Sequence, residues 1–332
     1  MSAWAASASE PMERATIRGG GLTATVVPWG AAIQDLRLDG HAAPLVLGHA
    51  DPEGYRANDA YFGAIAGRYA NRIAGGRFTL DGVMHDLPRN FLGRHTLHGG
   101  ADGFSAREWA FGAVSEDSVT LHLSDPDGRE GFPGQLDASV TYSVGGEGVL
   151  RVAIEARADR ATVCNLAQHS YFNLEDGGAS DCRAHRMAIR AESYLPVDEE
   201  LLPTGAVAPV MGTDFDFRAE REIGASRGGC FDHNFCLSLA RGDLRLAARA
   251  RAPRSGVELE VWTTEPGVQF YSGEYVRAGG EGLDGVRYAA HSGFCLEPQV
   301  WPDAPNRPDF PQAVLREGDV YRQETEFRFR RG

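Results

Sequence analysis

Five short stretches of this 332-residue chain combine ionisable, polar and aromatic side chains among turn residues. They are GRYANRIAGGRF (67–78), HTLHGGADGF (95–104), QHSYFNL (168–174), FDHNFCL (231–237) and LEPQVWPDAPN (296–306), with a less polar sixth, PGVQFYSG (266–273). Each stretch alone is typical of turns that cap the backbone. Together they supply imidazoles, an arginine, two carboxylates, a carboxamide and aromatic rings. That inventory suits a polyhydroxylated ring, which needs paired donors and acceptors and apolar faces.

A metal site is an open alternative for three of the histidines. His95 and His98 are three residues apart, and the glycines at 99 and 100 allow a turn that brings both rings to one ion. With His169 they would offer three imidazoles, a ligand type that zinc accepts. No compact ligand motif accompanies them, so the sequence predicts a site without metal.

Two further motif matches are predicted to be loops. A GxSxG match at 224–228 has charged and glycine-rich flanks, where a nucleophile elbow needs a buried strand and a helix. A GxGxxG match at 280–285 is followed by no helical pattern, which a dinucleotide fingerprint requires.

The set NRI, LHGG, HSYFNL, DHNF, GVQFYSG and LEPQ with PDAPN resembles the aldose 1-epimerase family, the galactose mutarotases. The resemblance runs in order from about residue 20 to the C-terminus, and HSYFNL and LEPQ–PDAPN are its most specific parts. It implies that Glu297 is the general base, His169 the general acid and His98 a second active-site histidine. It also implies that sugar hydroxyls are held by residues in the NRI, DHNF and GVQFYSG stretches: Asn71, Arg72, Asp232 and Gln269.

The reaction this family implies suits these residue types. Exchange of anomers needs a proton removed from the hydroxyl on C1 and a proton delivered to the ring oxygen. The opened ring rotates about C1–C2 and closes on the other face, which reverses both transfers. A His/Glu pair can act as acid in one direction and base in the other. The prediction is therefore an isomerase of free monosaccharides, such as galactose or glucose, that uses no cofactor.

Three alternatives stay open. A glycoside hydrolase or lyase could use Asp232 and Glu297, with carboxyl groups roughly 5–5.5 Å or 6.5–9.5 Å apart. A carbohydrate-binding β-sandwich would hold the sugar without chemistry. A related sugar-phosphate epimerase would need a cation for the phosphate, and arginine is abundant in the chain.

Apolar runs with period two surround these stretches and predict half-buried strands. They cover 22–27, 31–38, 118–123, 136–144, 148–156, 257–263 and, near the end, 319–330. Asp-Gly pairs at 39–40 and 81–82 predict tight turns. No long helical stripe or linker interrupts them. The pattern predicts one all-β antiparallel domain over 16–332 after a loose tail at 1–15, and the resemblance implies a large β-sandwich, the mutarotase supersandwich, with an open cleft across one sheet.

Composition excludes several classes of function. The formal net charge of −13 disfavours nucleic acid and anionic membranes as partners. The chain contains no lysine, which excludes Schiff-base and P-loop chemistry. Its five cysteines form no CxxC pair, and no apolar run is long enough to span a membrane. A cytoplasmic protein, monomer or homodimer, is the expectation.

Overall fold

A computed structural model describes residues 11–57, 60–225, 230–277 and 280–332. Within these ranges the regular structure consists of β-strands and short 3-10 helices, and no α-helix occurs. No helix of the described residues has the length and apolar character needed to cross a bilayer. Residues 1–10 of the predicted tail lie outside the described ranges, and the first strand already begins at Ala15.

The strands of the described residues are, in chain order, β1 (Ala15–Gly19), β2 (Leu22–Val27), β3 (Ala32–Leu38), β4 (Ile65–Ala66), β5 (Arg72–Ile73), β6 (Arg77–Leu80), β7 (Val83–Asp86), β8 (Thr96–Leu97), β9 (Ala110–Val114), β10 (Ser118–Asp125), β11 (Leu136–Gly145), β12 (Val149–Ala158), β13 (Thr162–Val163), β14 (Ala167–Gln168), β15 (Tyr171–Phe172), β16 (Arg186–Ile189), β17 (Ser193–Tyr194), β18 (Ala208–Pro209), β19 (Arg221–Glu222), β20 (Asp232–Cys236), β21 (Arg245–Arg251), β22 (Val257–Thr263), β23 (Gly267–Tyr271), β24 (Phe294–Gln299), β25 (Val314–Leu315) and β26 (Tyr321–Arg331). The 3-10 helices are Pro52–Ala57, Ala74–Gly76, Phe104–Ala106, Arg129–Gly131, Cys182–Ala184, Ile223–Ala225, Leu283–Gly285 and Ala304–Asn306.

A nine-stranded antiparallel sheet forms one layer, in the order β19-β16-β21-β22-β26-β12-β11-β10-β9. Its long strands alternate buried and exposed residues, as the period-two pattern predicts. On the exposed face, arginines pair with glutamates across strands, as in Arg151–Glu324 at 2.8 Å and Arg322–Glu155 at 3.0 Å. These charges keep one side of the sheet in water while the other covers the core.

A six-stranded antiparallel sheet, β15-β24-β23-β20-β17-β18, and a three-stranded sheet, β1-β2-β3, face the large sheet. The main core contains residues of all three, among them Leu36, Val140, Phe270, Leu296 and Phe327. The arrangement confirms the prediction of an all-β antiparallel sandwich.

The predicted turns differ in what they connect. Asp81 and Gly82 join β6 to β7 with Leu80 opposite Val83, a two-residue hairpin in which both turn residues have positive φ. Asp39 and Gly40 also form a turn, but the chain then leaves β3 in a loop rather than a hairpin. The GxGxxG match contains the short 3-10 turn Leu283–Gly285 and an isolated bridge from Gly282 to His49, and no helix follows it, as expected for a loop. Residues 226–228 of the GxSxG match lie outside the described residues.

Candidate active site

The polar face of the six-stranded sheet forms the floor of the site. In strands β20, β23 and β24, Asn234, Gln269 and Glu297 stand side by side in register. Their neighbours along the strands, such as Phe270 and Leu296, point the other way into the main core. Because side chains alternate along a strand, the same three strands supply an apolar core face and a polar site face.

His169 reaches this floor from the connection between β14 and β15. Its Nε2 lies 3.5 Å from Oε2 of Glu297, and the two residues are only 4% and 2% exposed. Within the described residues, Glu297 Oε2 accepts no hydrogen bond. The two residues predicted as acid and base therefore lie together, and the carboxylate keeps an oxygen free for another proton donor.

Burial shifts the pKa of both residues toward the neutral form. Desolvation lowers the pKa of His169 to about 4, against the opposing effects of its own backbone carbonyl and Asp232. Desolvation raises the pKa of Glu297 well above its usual range, assisted by the carboxylate of Asp232 and opposed by Arg72. A single proton shared by the pair is therefore favoured on Glu297 rather than on His169.

His98 is held as a neutral hydrogen-bond donor. The backbone N–H of Asn71 donates to His98 Nδ1 at 3.1 Å. The ring hydrogen of the neutral imidazole must then lie on Nε2. Burial, His169 and Arg72 together lower the pKa of His98 well below its usual value, so the ring stays uncharged. The ring centroid of His98 lies 5.2 Å from that of His169.

The glycine after His98 allows this placement. His98 and Gly99 both have positive φ, 51° and 85°. A Cβ on Gly99 would lie 2.1 Å from the backbone oxygen of Gly67, so only glycine lets the turn pack there. Arg68, which follows Gly67 in the chain, is buried. Its Nε donates to Asp125 Oδ2 at 2.9 Å, and this bond anchors the segment against which the turn packs.

Arg72 and Asp232 form a partly buried ion pair beside the acid–base pair. Arg72 Nη2 donates to Asp232 Oδ2 at 3.0 Å, and Gln269 Nε2 donates to Asp232 Oδ1 at 2.6 Å. Asn71 lines the cleft with them, and its Oδ1 accepts the backbone N–H of Arg72 at 2.9 Å. Gln269 is 3% exposed and lies beneath Asp232, outside the cleft lining.

Asp303 of the PDAPN stretch binds the backbone at Arg72 and at Ala74. The backbone N–H of Asp303 donates to the Arg72 carbonyl at 3.0 Å, and Asp303 Oδ1 accepts from the backbone N–H of Ala74 at 2.9 Å. Asp303 is fully buried. This motif therefore fixes the strand that carries Arg72 and does not itself line the cleft.

An open cleft lies over these groups. Aromatic rings that sequence analysis did not assign to the site form much of its wall: Tyr61, Phe91, Tyr171, Tyr271 and Tyr275. Phe91 also stacks against Arg72, with the guanidinium carbon 4.6 Å from the ring centroid. Tyr171 and Tyr271 lie within HSYFNL and GVQFYSG, so those two motifs contained the signal, whereas Tyr61, Phe91 and Tyr275 lie in no such motif.

The structure does not assemble the histidine trio considered as a metal site. His95 lies aside from the cleft, where its Nδ1 accepts from the Gly75 N–H at 3.0 Å and its Nε2 pairs with Glu200 at 2.8 Å. The group that does converge is His98, His169 and Glu297, with ligand atoms within 4.8 Å of one another. A neutral His98 carries its hydrogen on Nε2, however, and a metal ligand needs that nitrogen unprotonated. The donor set therefore suits proton transfer better than a resident metal.

An imidazole–carboxylate pair at the base of an aromatic cleft, with a neutral donor and an ion pair beside it, defines an acid–base enzyme for a small polar molecule. A model of the family described as aldose 1-epimerase matches residues 13–328. The chain belongs to the aldose 1-epimerase family and is an isomerase.

Similar proteins span nearly the whole chain. It is 45% identical to galactose mutarotase of Rattus norvegicus, over 96% of this chain and 94% of that protein. It is 38% identical to aldose 1-epimerase of Escherichia coli, over 96% of each. The crystal structure of an aldose epimerase homologue from C. elegans superposes with a TM-score of 0.91 at 30% identity, covering 96% of this chain and 99% of that one. The prediction of a mutarotase-type sandwich is confirmed.

Proposed function

We propose that this protein interconverts the α and β anomers of a free aldose, such as galactose or glucose, by acid–base opening and closure of the sugar ring. The observation that carries the proposal is the 3.5 Å approach of His169 Nε2 to Glu297 Oε2 on the floor of the cleft. Relatives named galactose mutarotase and aldose 1-epimerase, aligned over nearly the full chain, support the same activity.

In the proposed reaction, Glu297 removes the proton from the hydroxyl on C1 while His169 protonates the ring oxygen. The bond from C1 to the ring oxygen breaks, and the electrons of the O–H bond form the C1 carbonyl. After rotation about C1–C2, the ring closes on the other face, and both protons return. The two oxygens share one carbon, so acid and base must meet at one edge of the ring, as these two side chains do. Each transfer contributes about 10²–10⁴-fold.

The pKa shifts of Glu297 and His169 favour the proton positions that the open-chain stage of this reaction requires. At that stage Glu297 holds the proton and His169 is neutral. Burial raises the pKa of Glu297 and lowers that of His169, which favours the same arrangement. The buried environment therefore stabilises the proton positions of the intermediate relative to those that start ring opening.

We assign binding of the sugar to the groups around His169 and Glu297. Arg72, Asp232 and Asn71 offer donors and acceptors for neighbouring hydroxyls, and His98 offers its Nε2–H. The aromatic wall suits the C–H faces of the ring. Gln269 contributes through Asp232, because its amide lies below the cleft and donates to that carboxylate.

The geometry disfavours two alternatives. In a glycoside hydrolase Asp232 would act as a nucleophile, acid or base, yet both of its oxygens already accept hydrogen bonds, from Arg72 and Gln269. In a sugar-phosphate epimerase the phosphate needs a cation, yet among the described residues lining the cleft the only guanidinium belongs to Arg72, whose charge is paired with Asp232.

Polarimetry of freshly dissolved α-galactose and α-glucose tests the proposal, with spontaneous mutarotation subtracted. The wild-type chain should accelerate the approach to the equilibrium rotation. Glu297→Gln keeps the side-chain shape but cannot accept a proton at neutral pH, so turnover should fall by about 10²–10⁴-fold. His169→Asn should do likewise, and the double variant should be little worse than either single one.

Circular dichroism and thermal melting on the same preparations show whether the variants fold. A folded Glu297→Gln protein that retains full turnover per molecule and only melts earlier would refute the assignment, because Glu297 would then be a structural residue. The cytoplasmic location, the absence of nucleic-acid and membrane partners, and the monomer or homodimer state stay predictions.

A further inference from the structure

The residues on either side of His169 point away from the cleft and bind each other. Gln168 and Ser170 are 3% and 2% exposed. Gln168 Oε1 accepts the backbone N–H of Ser170 at 3.1 Å, and Gln168 Nε2 donates to Ser170 Oγ at 2.7 Å. The same Nε2 donates to the backbone carbonyl of Gly63 at 3.0 Å. The carboxamide thus ties both sides of His169 to a neighbouring segment.

This contact lies where the chain changes sheets. Before His169, β14 pairs with β4; after it, β15 pairs with β24, the strand that carries Glu297. At the crossing the backbone of His169 bonds to both Ala64 and Gly63, at 2.9 and 3.0 Å. The N–H of Ser170 lies between the two ladders, and the Gln168 side chain accepts its hydrogen bond. Without that side chain a buried donor would be unpaired at the junction.

We propose that Gln168 is a positioning residue that holds the His169 imidazole in place relative to Glu297. The inference rests on the proposed function, since it assigns Gln168 a part in that acid–base chemistry. Among the described residues, the Gln168 amide bonds only to Gly63 and Ser170, and neither of these residues lines the cleft. Its loss should therefore displace the acid without removing any group that binds sugar.

Proton transfer is sensitive to such a displacement. A shift on the order of 1 Å between reacting groups lowers a rate by roughly 10²-fold. For Gln168→Met, which keeps length and removes all three hydrogen bonds, we expect kcat to fall about 10- to 100-fold. KM should stay within about twofold, because the groups assigned to the hydroxyls remain. Ser170→Ala removes only the contact with Oγ and should lower kcat less.

Gln34→Met is the matched control. Gln34 is also 3% exposed, and in the described part of the chain its Nε2 donates only to backbone carbonyls, those of His49 at 2.9 Å and Ala50 at 3.4 Å. It should lower the melting temperature, by less than Gln168→Met does because Gln34 Oε1 accepts no hydrogen bond within the described residues, while kcat per folded molecule stays at the wild-type value. Equal losses of kcat in the two variants would overturn the proposal, because the effect would then follow stability alone.

A double-variant cycle separates a role through His169 from any other role. On the His169→Asn background, Gln168→Met should lower kcat by less than about twofold while still lowering the melting temperature. An undiminished 10- to 100-fold loss on that background would show that Gln168 acts independently of His169, and the proposal would be wrong.

The imidazole ¹⁵N and ring ¹H resonances of His169, assigned with the His169→Asn variant, test the position without reference to turnover. They should shift or broaden in Gln168→Met and stay unchanged in Gln34→Met.

If the wild type fails to accelerate mutarotation, the proposed function fails while the His169 resonances still test the positioning of the ring. Unchanged His169 resonances in a folded Gln168→Met protein would overturn the inference even if wild-type activity is as proposed.

Discussion

At the scale of single residues, one hydrogen bond from the backbone fixes the tautomer of His98. Because the Asn71 N–H donates to His98 Nδ1, the neutral ring keeps its hydrogen on Nε2. We expect exhaustive chelation to leave the mutarotation rate unchanged, and added zinc not to raise it. Polarimetry before and after dialysis against a chelator measures this. A large loss that zinc alone restores would show that His98, His169 and Glu297 bind a required metal.

The ion pair beside the acid–base pair should govern binding of the sugar. Arg72→Ala or Asp232→Ala each removes a charged hydrogen-bonding group, a loss of roughly 1.5–3 kcal/mol, so KM should rise about 10- to 150-fold. Initial rates over a range of sugar concentrations give KM and kcat separately.

Arg316→Ala is a suitable control, because Arg316 pairs with Asp81 at the surface at 2.9 Å. Its KM should match that of the wild type. If Arg72→Ala or Asp232→Ala instead reduced kcat and left KM unchanged, the residue concerned would belong to the chemistry rather than to sugar binding.

The residues proposed as acid and base, and both members of the ion pair, lie in motifs with a family resemblance, so the sequence alone indicated them as site residues. The motifs did not place Gln269 beneath Asp232, nor separate His95 from His98. Those placements depend on strand register: Gln269 pairs with both Asn234 and Glu297, and His95 meets Glu200 from a distant loop. Residue types and spacing carry no information on such long-range contacts.

At the scale of strands, each predicted run lies on a strand in which buried residues alternate with more exposed ones, and the strands that carry the site were not predicted. The predicted run 257–263 coincides with β22, and 136–144 ends one residue short of β11. Strands β23 and β24 are buried on both faces, so their sequences show no alternation of apolar and polar residues. Their polar residues resembled loop residues because glycines and prolines stand among them in the sequence.

One glycine at the start of β23 is required by close packing. A Cβ on Gly267 would lie 2.6 Å from Asn234 Oδ1 and 2.9 Å from a ring carbon of Trp301. Gly267→Ala should therefore lower the free energy of unfolding by about 1–3 kcal/mol, as overpacking does in other buried sites. Chemical denaturation measures the change.

Gly145→Ala is the matched control, since a Cβ at Gly145, at the end of β11, meets no atom within 4 Å. It should change the free energy of unfolding by less than about 0.5 kcal/mol. Equal destabilisation by both substitutions would mean that the loss of glycine itself, and not the contact with Asn234, is responsible.

At the scale of the whole molecule, buried histidines link stability to pH. Burial lowers the pKa of His169 and of His185 to about 4, and it lowers the pKa of His98 well below its usual value. Below pH 6.5 the unfolded chain binds protons at these histidines and the folded chain does not, so their contribution to stability is lost as pH falls from about 6.5 toward 4. Glu297 acts in the opposite sense, because its raised pKa favours the folded protein at lower pH.

His185 isolates this effect from the cleft. Its Nε2 accepts from the Leu174 N–H at 3.0 Å and its Nδ1 donates to the Cys182 carbonyl at 2.8 Å, so a proton on Nε2 would oppose an N–H donor. His185→Asn should be less stable than the wild type at pH 7 by roughly 1–3 kcal/mol. Urea denaturation at steps from pH 7 to 4.5 should show the two proteins converging, because only the wild type loses the stability that the neutral imidazole provides. A constant gap between the two curves over that range would mean that His185 takes up its proton in the folded and unfolded chains alike, and burial would then not control its titration.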